Sequence, residues 1–225
     1  MNIYIIRHGE TDANKNSILQ GITNLPLNED GIRLARVTGQ RMKGIKFDAC
    51  FSSPLDRAID TANIILKETG NNIDINIDER IIEFNLGDWD GKSFAPGNLE
   101  VPILKMLMFN KNAFLVGKIK NGESAREVCT RTQEFLKELA TKDYNNVLVS
   151  SHGGAIRAML NMLYENKRSF WQGRVPYNCA VNILECIDGN LKLIEKDKIY
   201  YDSKDIVDRF NFKQLKKNKK NSFRN

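Results

Sequence analysis

The chain has 225 residues, of which 41% are apolar and 28% charged, with a formal net charge of +6. That length supports one domain with a substantial core, and no apolar run approaches the roughly 20 residues that a bilayer-spanning helix needs. The positive charge belongs to one end: from Arg209 onward there are seven basic residues and no acidic one, which leaves 27 basic against 28 acidic side chains over residues 1–208.

A near-neutral body argues against a nucleic-acid or membrane surface, and the run over 209–225 reads as a solvated basic tail. Cys50, Cys129, Cys179 and Cys186 show neither CxxC nor CxH spacing, so neither a zinc site nor a disulfide framework is expected. The first residues already read as a strand, which leaves no room for a removable leader. Cytoplasm is the expected compartment.

In chain order, Asn2 to Arg7 is an apolar strand, and Asn28 caps a helix reaching about Lys43. A second strand, Asp48 to Phe51, ends in Ser52-Ser53-Pro54. There Ser53 is expected to cap and Pro54 to open a helix to about Glu68. Ile73 to Ile77 alternates as a third strand. Ser124-Ala125-Arg126-Glu127 is a capping box for a helix ending near Ala140. A strand over 147–150 precedes a helix through Ala155–Leu163, and Asp188-Gly189-Asn190 marks a hairpin between Val181–Ile187 and Leu191–Lys196.

This alternation predicts an α/β fold, a mostly parallel sheet with helices on both faces. The segment from about 92 to 122 breaks the rhythm with a dense apolar stretch, Leu99 to Val116, and reads as a small helical cap inserted into a domain spanning 1–208. Trp89 and Trp171 read as packing residues.

The chain's two histidines each follow an apolar strand and lead into glycine: Arg7-His8-Gly9-Glu10-Thr11 and Ser151-His152-Gly153-Gly154. Groups at the carboxyl ends of neighbouring parallel strands converge on one crevice. Arg7 and Arg57, the latter in Ser52-Ser53-Pro54-Leu55-Asp56-Arg57-Ala58, add forked donors suited to phosphoryl oxygens. Helix N-termini add backbone N–H groups. One neutral imidazole can act as nucleophile toward phosphorus, while the other, if protonated, can stabilise transition-state charge. Glu83, in an apolar context, is the candidate proton donor to a leaving alkoxide; Glu79 and Asp88 are the alternatives if the loop is shifted. Glu10 and Glu123 read equally well as orienting groups or surface carboxylates.

Together these motifs resemble the histidine phosphatase superfamily, which includes the cofactor-dependent phosphoglycerate mutases. The resemblance makes His8 the phosphorylated nucleophile, Glu83 the acid/base, and Arg7, Arg57 and His152 the phosphoryl-binding groups. It also implies substrate contacts from Asn14, from Gln20, Gly21 and Thr23 in Gln20-Gly21-Ile22-Thr23-Asn24-Leu25-Pro26-Leu27, and from Gly153. It covers the chain to about residue 160.

Glycolytic mutases of this kind follow the acid/base Glu with Arg-His-Tyr-Gly and carry two arginines in the cap. This chain has Phe84-Asn85-Leu86-Gly87 and no Arg between Arg80 and Arg126. The run Gly87-Asp88-Trp89-Asp90-Gly91 resembles the phosphatase branch, including the α-ribazole phosphatase type. The expectation is a metal-independent phosphatase acting on a small-molecule phosphomonoester, without cofactor and without a nucleic-acid or membrane partner. A phosphoglycerate mutase is the alternative, and a homodimer is left open.

Overall fold

The structure, a computed structural model, describes residues 1–95, 97–172 and 175–205; the basic run from Arg209 lies outside them. Strand β1 (Asn2–Arg7) buries Ile3, Ile5 and Ile6, and β6 (Asn146–Ser151) buries Val147, Leu148 and Val149. Apolar side chains on both faces of a strand place it at the centre of a covered parallel sheet. Among the described residues that sheet has six strands, completed by β2 (Ala49–Ser52), β3 (Ile75–Ile77), β7 (Val181–Ile187) and β8 (Asn190–Lys198). Their order is β3-β2-β6-β1-β7-β8. The first four are mutually parallel; β7 runs antiparallel to β1, and β8 antiparallel to β7. The β7–β8 hairpin turns through Asp188 (φ 49°) and Gly189 (φ 76°), left-handed positions that short Asp-Gly turns supply.

Helices cover both faces. On one face α2 (Glu29–Arg41) and α3 (Asp56–Thr69) pack Leu34, Ala35, Ala62, Ile65 and Leu66 against Ile6, Cys50 and Leu148. On the other, α5 (Ala125–Leu139) and α6 (Gly153–Leu160) pack Phe135, Leu136, Leu139, Ile156 and Met159 against Ile3, Ile5, Val147 and Val149. Truncating one such side chain to Ala costs about 2–5 kcal/mol. Asn28 caps α2 by accepting from Gly31 N at 2.8 Å, and Ser124 and Glu127 form the reciprocal box on α5. A single turn, α1 (Asp12–Lys15), follows β1.

The start of α3 differs from expectation. The helix begins at Asp56, and Leu55 stands at the cap position without a side-chain bond. The Ser53 hydroxyl, expected to cap, is instead 2.7 Å from the ring of His152 and accepts a 3.3 Å bond from Leu55 N.

Residues 92–122 contain a two-residue hairpin, β4 (Phe94–Ala95) with β5 (Asn98–Leu99), and one helix, α4 (Ile103–Lys111). Phe94, Val101, Met106, Phe109, Ala113 and Ile119 form a separate apolar cluster with Leu19, Phe84, Leu86, Trp89 and Phe170. Phe109 meets Phe84, Trp89 and Trp171 edge-on, at centroid separations of 5.4–5.8 Å. Such edge-to-face contacts are a favoured aromatic arrangement, and the same cluster joins this segment to Ala125, Val128 and Cys129 of α5 and Ala158 of α6.

Candidate active site

Strands β1 and β6 are neighbours in parallel register, Arg7 opposite Ser151. The chain leaving β1 returns as α2 on one face, whereas the chain leaving β6 becomes α6 on the other. Connections that part in this way open a crevice at the carboxyl ends of the strands. His8 and His152, the next residue of each strand, therefore meet there. Their ring centroids are 5.1 Å apart with planes inclined by 55°.

His8 Nδ1 lies 2.7 Å from the carbonyl of Gly9. A carbonyl only accepts, so Nδ1 carries the proton and Nε2 keeps its lone pair. Burial first, then the guanidiniums of Arg57 and Arg7, hold this imidazole well below its ordinary titration range. Burial, Arg57 and His8 act on His152 in the same direction. Both shifts run against the protonated ring that the sequence reading allowed for one of them. Ser53 fixes the second ring through Nε2, and Nδ1 is buried without a protein partner.

Of the two guanidiniums, Arg7 lines the cleft, whereas Arg57, like His152, is fully buried outside its lining; backbone carbonyls hold both. Arg7 donates to Pro176 O at 2.5 Å, and Arg57 to Thr23 O at 2.8 Å and Gly21 O at 2.9 Å. Burial pulls Arg57 down to about 10, still cationic at neutral pH. The Nε of each arginine is buried without a hydrogen-bond partner, as is Gln20 Nε2. Unpaired buried donors are costly, and here they accompany positive charge, which suits the site to an anion with several oxygens.

Glu83 lies across from them. The expectation of apolar surroundings is half of its environment; the other half is the N-terminus of α6. One carboxylate oxygen accepts from Phe84 N (2.7 Å) and Ala155 N (2.9 Å), the other from Gly154 N (3.1 Å). The paired glycines permit this approach: a Cβ on Gly154 would sit 2.7 Å from Glu83 Oε1, and one on Gly153 2.6 Å from Val175 Cγ1. Arg131, on α5, anchors the same segment by donating to the carbonyls of Arg80, Ile82 and Glu83 while paired with Glu123 at 2.8 Å. Glu79 and Asp88, the alternative carboxyls, are exposed.

The cleft is lined at its base by Arg7, His8, Asn14, Gln20, Glu83, Gly153, Gly154 and Asn178. Asn178 had no sequence signal. Its amide donates to the carbonyls of His8 and Gly9 and to Asn14 Oδ1, tying the loop before β7 to the nucleophile loop. Gln20 is positioned by Thr11, whose hydroxyl donates to it at 2.9 Å. Gly21 and Thr23, expected to touch substrate, stand outside the lining: their carbonyls hold Arg57, and the Thr23 hydroxyl donates to Asp90. Glu10 is buried and accepts from Asn28. Trp89 is buried in the core, and Trp171 packs against Phe109 and Phe170 of the same cluster while also lining the cleft. Among the described residues no trio of His, Cys, Asp or Glu forms a metal-ligating group.

The sequence pattern of the histidine phosphatase superfamily (branch 1) matches residues 3–197. The chain belongs to that superfamily. It is 28% identical over 200 residues to the adenosylcobalamin/α-ribazole phosphatase of Salmonella typhimurium, covering 82% of this chain and 92% of that protein. It is 30% identical over 161 residues to the 2,3-bisphosphoglycerate-dependent phosphoglycerate mutase of Cytophaga hutchinsonii, covering 70% and 75%. Among solved structures, Bacillus stearothermophilus YhfR superposes with a TM-score of 0.80 at 26% identity, covering 88% of this chain and 97% of that one.

Proposed function

We propose that this histidine phosphatase superfamily member hydrolyses a small-molecule phosphomonoester through a phosphohistidine on His8. The observation that carries the proposal is the pairing of two neutral imidazoles, 5.1 Å apart, with two buried arginines whose Nε groups have no protein partner.

His8 Nε2 attacks phosphorus, the ester P–O bond breaks, and the Glu83 carboxyl gives its proton to the departing oxygen. Glu83 then takes a proton from water, whose oxygen attacks phosphorus, and cleavage of the P–N bond releases phosphate and restores His8. Arg7, Arg57 and His152 stabilise charge on the transferred group, the largest lever in phosphoryl transfer. For His152 a neutral ring suffices. Ser53 Oγ, which accepts from Leu55 N, lies 2.7 Å from Nε2 and holds the ring in place, and Nδ1 is the nitrogen without a protein partner.

We favour hydrolysis over isomerisation because, among the described residues lining the cleft, none is a further cation placed to grip a substrate carboxylate. Among the described residues lining the cleft, Arg7 is the sole guanidinium, and it belongs to the phosphoryl pocket. The segment over residues 92–122 acts as the cap that shapes the leaving-group side. Among the described residues no helix is long and apolar enough to cross a membrane. Burial pushes the thiols of Cys50, Cys129 and Cys179 up to about 12, and free cysteines are at home in a reducing, cytoplasmic compartment.

The test is a panel of phosphomonoesters with wild type and His8→Ala, together with acid quenching of labelled substrate. Wild type should turn over in the presence of EDTA and yield an acid-labile phosphoprotein, and His8→Ala should do neither. Turnover by His8→Ala would overturn the scheme, and bisphosphoglycerate-dependent isomerisation exceeding hydrolysis would replace it with the mutase.

A further inference from the structure

Strand β7 pairs antiparallel with β1, Ile6 opposite Val181. The pairing continues before the start of β7: Arg7 N donates to Ala180 O at 3.1 Å and Cys179 N to Arg7 O at 3.0 Å. Asn178 is thereby delivered beside His8 and Gly9. Next to it, Cys179 takes φ 55°, a left-handed conformation that a non-glycine residue keeps only where its surroundings impose it. One such constraint is the buried hydroxyl of Tyr201, on the segment after β8, which donates to Asn178 O at 2.6 Å. Burial pushes the titration of this phenol up, so it remains a donor. The Asn178 side chain, also buried, donates through Nδ2 to Gly9 O at 3.0 Å, His8 O at 3.1 Å and Asn14 Oδ1 at 3.1 Å. Carbonyl oxygens only accept, so the amide must turn its N–H end toward them.

Gly9 O is the same atom that receives the His8 ring, 2.7 Å from Nδ1. The Gly9 peptide is thus tied at both ends, by Asn178 at its oxygen and by Thr61 Oγ1, which accepts from Gly9 N at 2.9 Å. The tautomer of a neutral histidine is set by the hydrogen bond that one ring nitrogen makes. Were the Gly9 carbonyl to turn away, the proton could pass to Nε2, and the lone pair that attacks phosphorus would be lost. We propose that Asn178, braced by Tyr201, is a positioning residue for the nucleophile: its amide fixes the Gly9 carbonyl, which keeps the His8 proton on Nδ1 and leaves Nε2 free to react. The same amide sets a second group. Asn14 Oδ1 also accepts from Thr11 N at 3.2 Å, so the oxygen end of Asn14 is engaged and its N–H end is the one left for an anion. The catalytic consequence rests on the phosphatase reading, whereas the state of the His8 ring is read without any substrate.

The chain has two histidines, so proton–nitrogen NMR correlation spectra of ring-labelled protein at neutral pH report which nitrogen carries the proton in each. The spectra are recorded for wild type, for Asn178→Leu, which approximates the shape of Asn without its donor, and for Tyr201→Phe, which loses one hydroxyl. Alongside them, kcat is measured on the best ester of the phosphomonoester panel. Wild-type His8 should carry its proton on Nδ1 alone. In Asn178→Leu the Nε2–H form of His8 should become populated while the His152 signals stay in place, and kcat should fall about tenfold. Tyr201→Phe should move the same two readouts in the same direction, with kcat down about two- to fivefold; it decides the matter by itself if Asn178→Leu does not fold. A merely structural role would lower stability and leave the His8 tautomer alone. His8 protonated only on Nδ1 in every folded variant, or a wild-type ring already of mixed tautomer, therefore overturns the proposal and leaves the phosphatase standing. A tautomer shift in a protein that turns over no ester of the panel upholds the positioning of His8 and overturns the phosphatase reading instead.

Discussion

At the scale of single residues, the site depends on which nitrogen of each imidazole is free. The Gly9 carbonyl settles this for His8, and the Ser53 hydroxyl, 2.7 Å from Nε2, leaves Nδ1 as the unpartnered nitrogen of His152. Ser53→Ala removes the group that fixes the second ring and leaves a buried nitrogen unpaired, a loss of about 1–3 kcal/mol. We expect kcat to fall roughly 10- to 100-fold, with partial recovery in Ser53→Thr; a kcat for Ser53→Ala equal to wild type would show that the ring needs no such support. Glu83→Gln keeps the shape but cannot move the proton. Single-turnover rates with a poor leaving group should drop by about 10²–10⁴, and far less with an activated aryl leaving group. The two histidines were legible because each sits at a strand end beside glycine, and Glu83 because its motif matches the family pattern. Asn178 and Arg131 were not. Their roles come from hydrogen bonds to backbone carbonyls far away in sequence, for Asn178 across 170 positions to His8, and no local pattern records such a partnership. Gly21 and Thr23 show the converse: the motif was legible, but it holds Arg57 through carbonyls, a function any residue's backbone can perform.

At the scale of elements, the sheet was readable because its central strands are apolar on both faces and its helices carry caps. Asn28, the Ser124 box and the Asp188-Gly189 turn each sat where their chemistry demanded. Two features escaped. The first was the start of α3, where tertiary demand on Ser53 by His152 outweighs the local value of a cap. The second was the interior of residues 92–122, where a two-residue hairpin and a nine-residue helix are stabilised by an aromatic cluster drawing on Leu19 and Phe170, which lie far away in sequence. The junction of α6 with Glu83 gives the test at this scale. Gly154→Ala would place a methyl 2.7 Å from Glu83 Oε1 against a carboxyl held by three backbone donors. Neither partner can yield cheaply, so the strain of about 1–3 kcal/mol falls on the acid/base. Thermal unfolding should show a modest loss of stability, and kcat a loss of about tenfold or more with KM little changed. A variant that loses stability while keeping kcat would mean that Glu83 tolerates displacement.

At the scale of the whole molecule, catalysis and stability draw on the same buried charges. His8 and His152 lie at the join of the two central strands, and both are held neutral, chiefly by burial and then by nearby guanidinium charge. In the unfolded chain each imidazole titrates near its ordinary 6.5. Below that pH the unfolded state binds protons that the native state refuses. Stability is therefore fully present above about 6.5 and is lost as pH falls below it. Melting temperature should decline from pH 7 toward pH 5, before most carboxylates titrate, and the decline should be shallower in His152→Gln, which has no proton to gain. Inorganic phosphate supplies the acceptors that Arg7, Arg57 and His152 lack in the protein. It should raise the melting temperature by mass action, worth about 2.7 kcal/mol at a hundred times its dissociation constant. The two effects oppose each other, because an anion beside His152 favours its protonated form and relieves the repulsion from Arg57. Phosphate should thus flatten the acid decline in wild type and do so less in His152→Gln. Parallel melting curves against pH with and without phosphate, in both proteins, would show instead that the imidazoles and the anion site are thermodynamically separate.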